Sequence, residues 1–336
     1  MDLQMQMQSG GKLLGQGVYG CTFEPAPPCA GGPVFKKRPN TVGKIVNEDP
    51  TEELAIGKKI MSLPLASAYY ALPSAACKPM MPLLDPEAKG CRVITESGES
   101  TKFSMLLMPD GGVPLGKYAT NMKRLADNYR RIFVHLLEGA VIYQKAGFVH
   151  NDIHMANILV DDAGVARYID FGLAFRPDEV HVWEDANLGT EFRPQYFMQA
   201  PEVHAWRMYL SGVRLTDGVA VLKELNPEYI KMEHQFPTRK SAIAALSDLL
   251  LKEAHEDGAK FVRKYAAKFD SWRLGICMWV LWNDLLSIPP FQQTPLYKER
   301  DIMRRVLGGL TDFDPRTRLS VGEALRLLDP GNRLKD

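Results

Sequence analysis

The sequence predicts an α+β fold, with strands concentrated before about residue 108 and helices after it. Three observations carry that expectation. Short β-branched and apolar runs, such as TVGKIV (41–46) and KFSMLLM (102–108), are punctuated by Gly- and Pro-rich turns. MKRLADNYRRIFVHLLEGAVIYQKA (122–146) then has a helical apolar stripe of Leu125, Tyr129, Ile132, Phe133, Leu136, Ala140 and Val141. Finally, NILVDD and VARYID (157–170) read as two short strands around a turn at Asp162-Ala163-Gly164.

From the N-terminus, LLGQGVYGCTF sets Gly15, Gly17 and Gly20 in G-x-G-x-x-G spacing. That spacing alone is a weak signal, because dinucleotide folds use it too. A dinucleotide loop opens a helix, whereas YGCTF continues as a second strand before a Pro-rich stretch. A strand–loop–strand flap fits better, its glycines letting backbone approach phosphates closely. EPAPPCAGGPVFKKRPN (24–40) is then a loop insertion. Lys44 stands in an apolar strand, where a charge is costly unless paired. The following helix begins at Asp49-Pro50 and repeats Ile56, Ile60 and Leu63 at helical spacing. Glu53 shares that face and is taken as the partner of Lys44; Glu52, about 100° around the helix, is the alternative. KFSMLLMPDGG is a buried strand that breaks at Pro109. His135, in the long helix, reads as a surface or satisfied histidine rather than a ligand.

The hairpin brings the loop before it and the loop after it to one end, so Asp152, Asn157 and Asp170 are expected to converge. Two carboxylates and a carboxamide are the oxygen set that Mg²⁺ takes, with phosphates completing the shell. A remaining carboxylate, Asp152, can orient a hydroxyl for attack, which is the layout of phosphoryl transfer. An ordinary hairpin with acidic caps is the plainer alternative, but it does not account for the spacing from Asp152 to Asn157 and on to Asp170-Phe171-Gly172.

HNDIHMANILVDDAGVARYIDFG (150–172) resembles the catalytic loop and DFG segment of the protein-kinase superfamily. The resemblance implies a bilobal kinase fold, with an N-lobe over 10–108 and a C-lobe over 109–330. The small lobe should hold five strands and one main helix. The resemblance further implies Asp152 as catalytic base, Asn157 and Asp170 as Mg²⁺ ligands, and His150 packed under the loop. Lys44 would contact ATP phosphates and pair with Glu53; Gly15, Gln16, Gly17, Val18, Tyr19 and Gly20 would cover the nucleotide, with Val42, Leu106, Leu107 and Met108 around its base. The hinge register stays open: with Leu106 as gatekeeper, Pro109 falls where the family offers an N–H, and with Met108, Gly111 could donate. Ala200-Pro201-Glu202, KFDSWRLG and DFDPRTRLSVGEAL resemble later family motifs, in which Asp270 would hold the catalytic-loop backbone and Arg318 would pair with Glu202. The Gly-rich loop running into CTFEPAPPC, VGKIV and FRPQYFMQAPE resemble kinases of large cytoplasmic DNA viruses.

Two departures matter. The family's HRD arginine, which receives an activation-loop phosphate, is Asn151, so activity independent of that phosphorylation is expected. The lysine two residues after the catalytic aspartate is His154, which would steady the transferred phosphoryl group or, as the alternative, only hydrogen-bond the loop backbone. The loop also resembles those of choline and aminoglycoside phosphotransferases. The function implied is ATP-dependent transfer to protein Ser/Thr hydroxyls; a small-molecule phosphotransferase and a catalytically silent kinase-like scaffold are the alternatives. Thr190 resembles the Ser/Thr-type threonine facing the catalytic loop. An unusually long stretch, about 205–268, is a candidate docking surface or local packing.

A net charge of +1 gives no basic footprint for nucleic acid. The most apolar stretch, ICMWVLW, is too short to span a bilayer, and the first residues lack signal-peptide character. Five scattered cysteines, an odd number, suggest free thiols in a reducing compartment, hence a cytoplasmic protein, or one of host cytoplasm or virion if viral.

Overall fold

The computed structural model describes residues 11–17, 20–30, 40–80, 88–97, 102–179, 198–203, 248–249, 252 and 258–334. Val18, Tyr19, Thr190 and most of the 205–268 insertion lie outside them. The chain divides into two compact units: Met1–Gly111 with Asp170–Gly172, and Gly112–Ile169 with Leu173–Asp336. The N-terminal part is β-rich and the C-terminal part helical, the α+β organisation that the sequence predicts.

The first unit is built on five strands, β1 (Lys12–Gln16), β2 (Gly20–Glu24), β3 (Thr41–Val46), β4 (Ala75–Cys77) and β5 (Ser104–Pro109), ordered β1-β2-β3-β5-β4 with all neighbours antiparallel. Its main helix is α1 (Thr51–Met61), whose first turn is tied down by Thr51 N–H donating to Asp49 Oδ1 at 3.0 Å. Short helices α2 (Ala66–Tyr69) and α3 (Arg92–Thr95) complete the unit. Strand alternation separates two cores. Phe23, Ile45, Met105 and Leu107 pack on one face, and Val42, Leu106 and Met108 on the other with Leu54. At Gly20 the backbone passes so near the Ile45 carbonyl oxygen that a Cβ would collide with it.

The cysteines correct the expectation of free thiols. Cys21 is bonded to Cys91 and Cys29 to Cys77, with Cα–Cα distances of 6.0 and 5.8 Å. Cys277 alone is free, buried, with its thiol pushed by burial up to about 12. Spacing along the chain gave no sign of this, because Cys21 and Cys91 meet by packing in one core cluster and Cys29 and Cys77 by a bridge from the β2–β3 insertion to Pro79. The insertion is stitched to the β4 segment by Ala30 N–H to Lys78 O (2.8 Å) and Met80 N–H to Pro28 O (2.6 Å). The inference from free thiols to a reducing compartment falls with the correction. Non-reducing peptide mapping should recover both linked pairs, which close loops of 70 and 48 residues. Reduction should cost this unit about 2–4 kcal/mol per bridge, seen as a lower Tm in reductant. Four reactive thiols in the native, unreduced protein would refute the pairing.

The second unit carries β6 (Val113–Pro114), α4 (Leu115–Ala119), α5 (Met122–Lys145), β7 (Ile158–Val160) and β8 (Ala166–Tyr168). After them come α6 (Gly258–Leu286), α7 (Arg300–Leu310) and α8 (Val321–Leu328). The three strands form a small sheet, β6-β7-β8, and Gly164 makes the hairpin turn at φ 74°. All seven residues of the α5 stripe are buried. Asn121 caps that helix by accepting Arg124 N–H at 3.0 Å, and Ser320 with Glu323 forms a capping box on α8. Helix α6 is buried without a break from Phe269 to Trp279, whereas Arg263, Lys264 and Ala267 before that run are exposed. Asp270, Ser271 and Arg273 are the polar residues buried along it. Among the described residues no helix is long and apolar enough to cross a membrane.

Candidate functional site

In the first unit, β3 delivers Lys44 and α1 delivers Glu53. Lys44 Nζ lies 3.0 and 3.1 Å from the Glu53 carboxylate oxygens and 3.2 Å from Asp170 Oδ1. Glu52 is exposed on the other side of the helix turn. Burial would lower the Lys44 pKa, but the charges of Asp170 and Glu53 outweigh it and hold the ammonium above its ordinary value. Burial pushes Glu53 up, Lys44 opposes that, and the like charge of Asp170 adds to it. One ammonium therefore faces two carboxylates, and the cluster has negative charge to spare for a further cation.

Asp170 sits at φ 59°, a left-handed backbone that Asp tolerates better than most side chains. Such strain is a feature of functional positions. Phe171 packs edge-on to Tyr70 with ring centroids 6.0 Å apart. Gly172 follows closely enough that a Cβ there would lie 3.3 Å from Asp170 Oδ1.

The Gly-rich turn is closed by Gly17 N–H donating to Gly20 O at 2.8 Å. Gln16 accepts Arg92 N–H through Oε1 at 3.2 Å. Val42, Leu106 and Met108 share one face, whereas the Leu107 side chain belongs to the opposite core and its carbonyl oxygen accepts Ser74 N–H at 3.0 Å. Pro109 pairs with Thr41 and has no N–H, and Asp110 N–H is held by Asn40 O at 2.9 Å.

In the second unit the loop 150–157 is pinned from below. Asp270, fully buried on α6, accepts His150 N–H (2.8 Å), Asn151 N–H (2.9 Å) and the Tyr143 hydroxyl (2.9 Å). Burial raises its pKa, and these donors with the charge of His150 offset only part of that. His150 is buried between Tyr143 and Tyr168, with Nε2 3.1 Å from Ile169 O. Asn151 adopts φ 60°. A β-branched or bulky side chain would be strained there, while Asn is among the residues that accept it.

Asp152 is bracketed on both carboxylate oxygens. Asn157 Nδ2 donates to Oδ2 and to the Asp152 carbonyl, both at 3.0 Å, and His154 Nε2 is 3.5 Å from Oδ2. Arg273 Nη1 approaches Oδ1 at 3.6 Å. Burial pushes the Asp152 carboxyl up, but His154, Arg273 and His150 together hold it below the usual carboxylate range. It contributes stability above its unfolded pKa near 4, lost as pH falls through the lower folded value. At neutral pH it is a carboxylate, able to accept a proton. His154 Nδ1 accepts Ala156 N–H at 3.2 Å, so a neutral ring carries its proton on Nε2, toward Asp152.

Within the first unit the structure thus brings together Lys44, Glu53 and Asp170; within the second, Asp152, His154 and Asn157. Arg273 falls at an unconstrained position of the KFDSWRLG motif. No local signal sets it apart, because Lys260, Arg263, Lys264 and Lys268 stand in the same helix.

Comparison with known proteins adds a family likeness. No family model matches the chain. It is 32% identical to CBL-interacting serine/threonine-protein kinase 1 of Arabidopsis thaliana over 111 residues, covering 32% of this chain and 24% of that protein. It is 23% identical to CBL-interacting protein kinase 22 of Oryza sativa subsp. japonica, covering 58% of the chain and 34% of the relative. With mitogen-activated protein kinase 12 of Danio rerio it shares 25% identity, over 66% of the chain and 55% of the relative. The matches thus span from about a quarter to about half of these relatives' lengths. They support the protein-kinase superfamily and protein phosphotransfer in general.

Proposed function

We propose that this chain is an ATP-dependent serine/threonine protein kinase. The observation that carries the proposal is the Lys44–Glu53–Asp170 cluster, a buried ammonium held by two carboxylates. Lys44 is placed to bind phosphate oxygens and Glu53 to fix its position. The glycines around Gln16, Val18 and Tyr19 would cover the phosphates, and Val42, Leu106 and Met108 would line the base. With Pro109 lacking an N–H and Asp110 N–H engaged, Gly111 is the hinge donor we assign to adenine.

Asn157 and Asp170 offer hard oxygen donors that suit Mg²⁺. When bound, Mg²⁺ would neutralise phosphate charge. Asp152 orients the acceptor hydroxyl and receives its proton. The hydroxyl oxygen bonds to the γ-phosphorus as the bond to the ADP oxygen breaks. The resemblance to kinases of large DNA viruses and a docking role for 205–268 belong to the same reading.

The decisive experiment incubates the chain with labelled ATP and Mg²⁺, offering generic protein substrates, choline and an aminoglycoside. Label on Ser or Thr is expected. Label on the small molecules would establish the alternative that Asn151 and His154 suggest, and nucleotide binding without turnover would establish a scaffold. His154 is expected to contribute one hydrogen bond. His154→Ala should lower kcat about tenfold, equivalent to roughly 1–1.5 kcal/mol, with KM for ATP unchanged. An unchanged kcat would remove His154 from the reaction.

A further inference from the structure

Arg273 is a buried cation, beside the loop carrying Asp152, that the proposed chemistry has not used. Its side chain is 4% exposed and projects from α6 three residues after Asp270. Nη2 donates to Gln199 Oε1 at 2.6 Å, just before Ala200-Pro201-Glu202. Nη1 faces Asp152 Oδ1 at 3.6 Å. A guanidinium in an apolar setting is costly unless paired, so this one marks a constraint on its neighbours. Its planar fork fixes direction as well as charge.

The Asp152 carboxylate needs such a constraint. Asn157 and His154 address Oδ2, and neither of those contacts touches Oδ1. Arg273 approaches Oδ1 at 3.6 Å, so both carboxylate oxygens have a neighbour. In this loop the positions that resemble the family's two cations hold Asn151 and His154.

We propose that Arg273 is a positioning residue for phosphoryl transfer, orienting the Asp152 carboxylate toward the acceptor hydroxyl and coupling it through Gln199 to the segment entering Ala200. The role rests on the kinase reading above. It acts through Asp152 and not through nucleotide binding, whose proposed residues Lys44, Glu53 and Asp170 belong to the other unit.

The test measures kcat and KM for ATP and for a Ser/Thr peptide in wild type, Arg273→Met, Arg273→Lys, Asp152→Asn and the Asp152→Asn/Arg273→Met double variant. Arg273→Met keeps the stem and loses the charge. Its kcat should fall about 10- to 100-fold with KM for ATP within about twofold, since misplacing a reacting group by an ångström has effects of that size. Arg273→Lys should recover part of the loss, and it carries the test if the Met variant does not fold. In the Asp152→Asn background, Arg273→Met should lower kcat no further, because the carboxylate it orients is gone. A purely structural arginine would lower both backgrounds equally, and that result overturns the proposal. So does a kcat within twofold of wild type for Arg273→Met. Wild-type protein that phosphorylates no peptide overturns the kinase reading and this role together, and the wild-type measurement alone reveals it.

Discussion

Asp152→Asn is expected to lower kcat by about 10²- to 10⁴-fold, the usual worth of a positioned proton acceptor, while Mg-ATP affinity stays nearly unchanged. The substitution keeps the shape of the side chain and most of its contacts. Asn157 can still donate to the Oδ of the new amide, and the backbone pins from Asp270 are untouched. What is lost is a carboxylate held ionised by His154, Arg273 and His150 against the effect of burial. Asp170→Asn should behave differently. It removes one of the two carboxylates around Lys44 and the formal charge that a divalent ion would use, so Mg-ATP affinity should fall along with turnover. Nucleotide titration and single-turnover transfer for both variants decide the matter. Wild-type turnover by Asp152→Asn would dismiss Asp152 as the base, and unchanged Mg-ATP affinity in Asp170→Asn would dismiss Asp170 as a metal ligand.

The parts of this arrangement that were legible in the sequence are those fixed by local periodicity. The α5 stripe, the 157–170 hairpin and the choice of Glu53 over Glu52 all follow from which residues share a face. Asp270 and Arg318 were legible through motif spacing, and their partners are those the resemblance implied. Other features depend on contacts between distant segments that no local period encodes. The Cys21–Cys91 and Cys29–Cys77 pairs join segments far apart in sequence, and an odd count of five suggested free thiols. The separation of Leu107 from Leu106 and Met108 is strand alternation within a run too uniformly apolar to reveal it. Arg273 was hidden because its partners, Asp152 and Gln199, lie 121 and 74 residues away.

Glu202→Ala should destabilise the second unit by about 3–5 kcal/mol, the usual cost of stranding one charge of a buried pair. Glu202 and Arg318 are both 0% exposed, and their paired contacts are 2.6 and 2.7 Å, a bidentate fork. Arg318 is further committed: Nε donates to Asp312 O at 2.7 Å, Nη1 to Lys268 O at 3.0 Å, and its guanidinium lies 5.2 Å from the Trp272 ring centroid. Without Glu202 those neutral acceptors remain, but none carries the compensating charge. Arg318→Met should cost a similar amount by leaving Glu202 stranded instead. The pair Glu202→Leu with Arg318→Met should recover much of either loss, because apolar replacement of a whole buried ion pair is often neutral or stabilising. Urea unfolding read by tryptophan fluorescence is suited to the measurement, since Trp272, Trp279 and Trp282 lie buried on α6. The single variants should shift the midpoint to lower urea with little change in slope. Single variants within about 1 kcal/mol of wild type would mean that water or a rearranged neighbour satisfies the remaining charge, and that the pair is not the clamp its geometry describes.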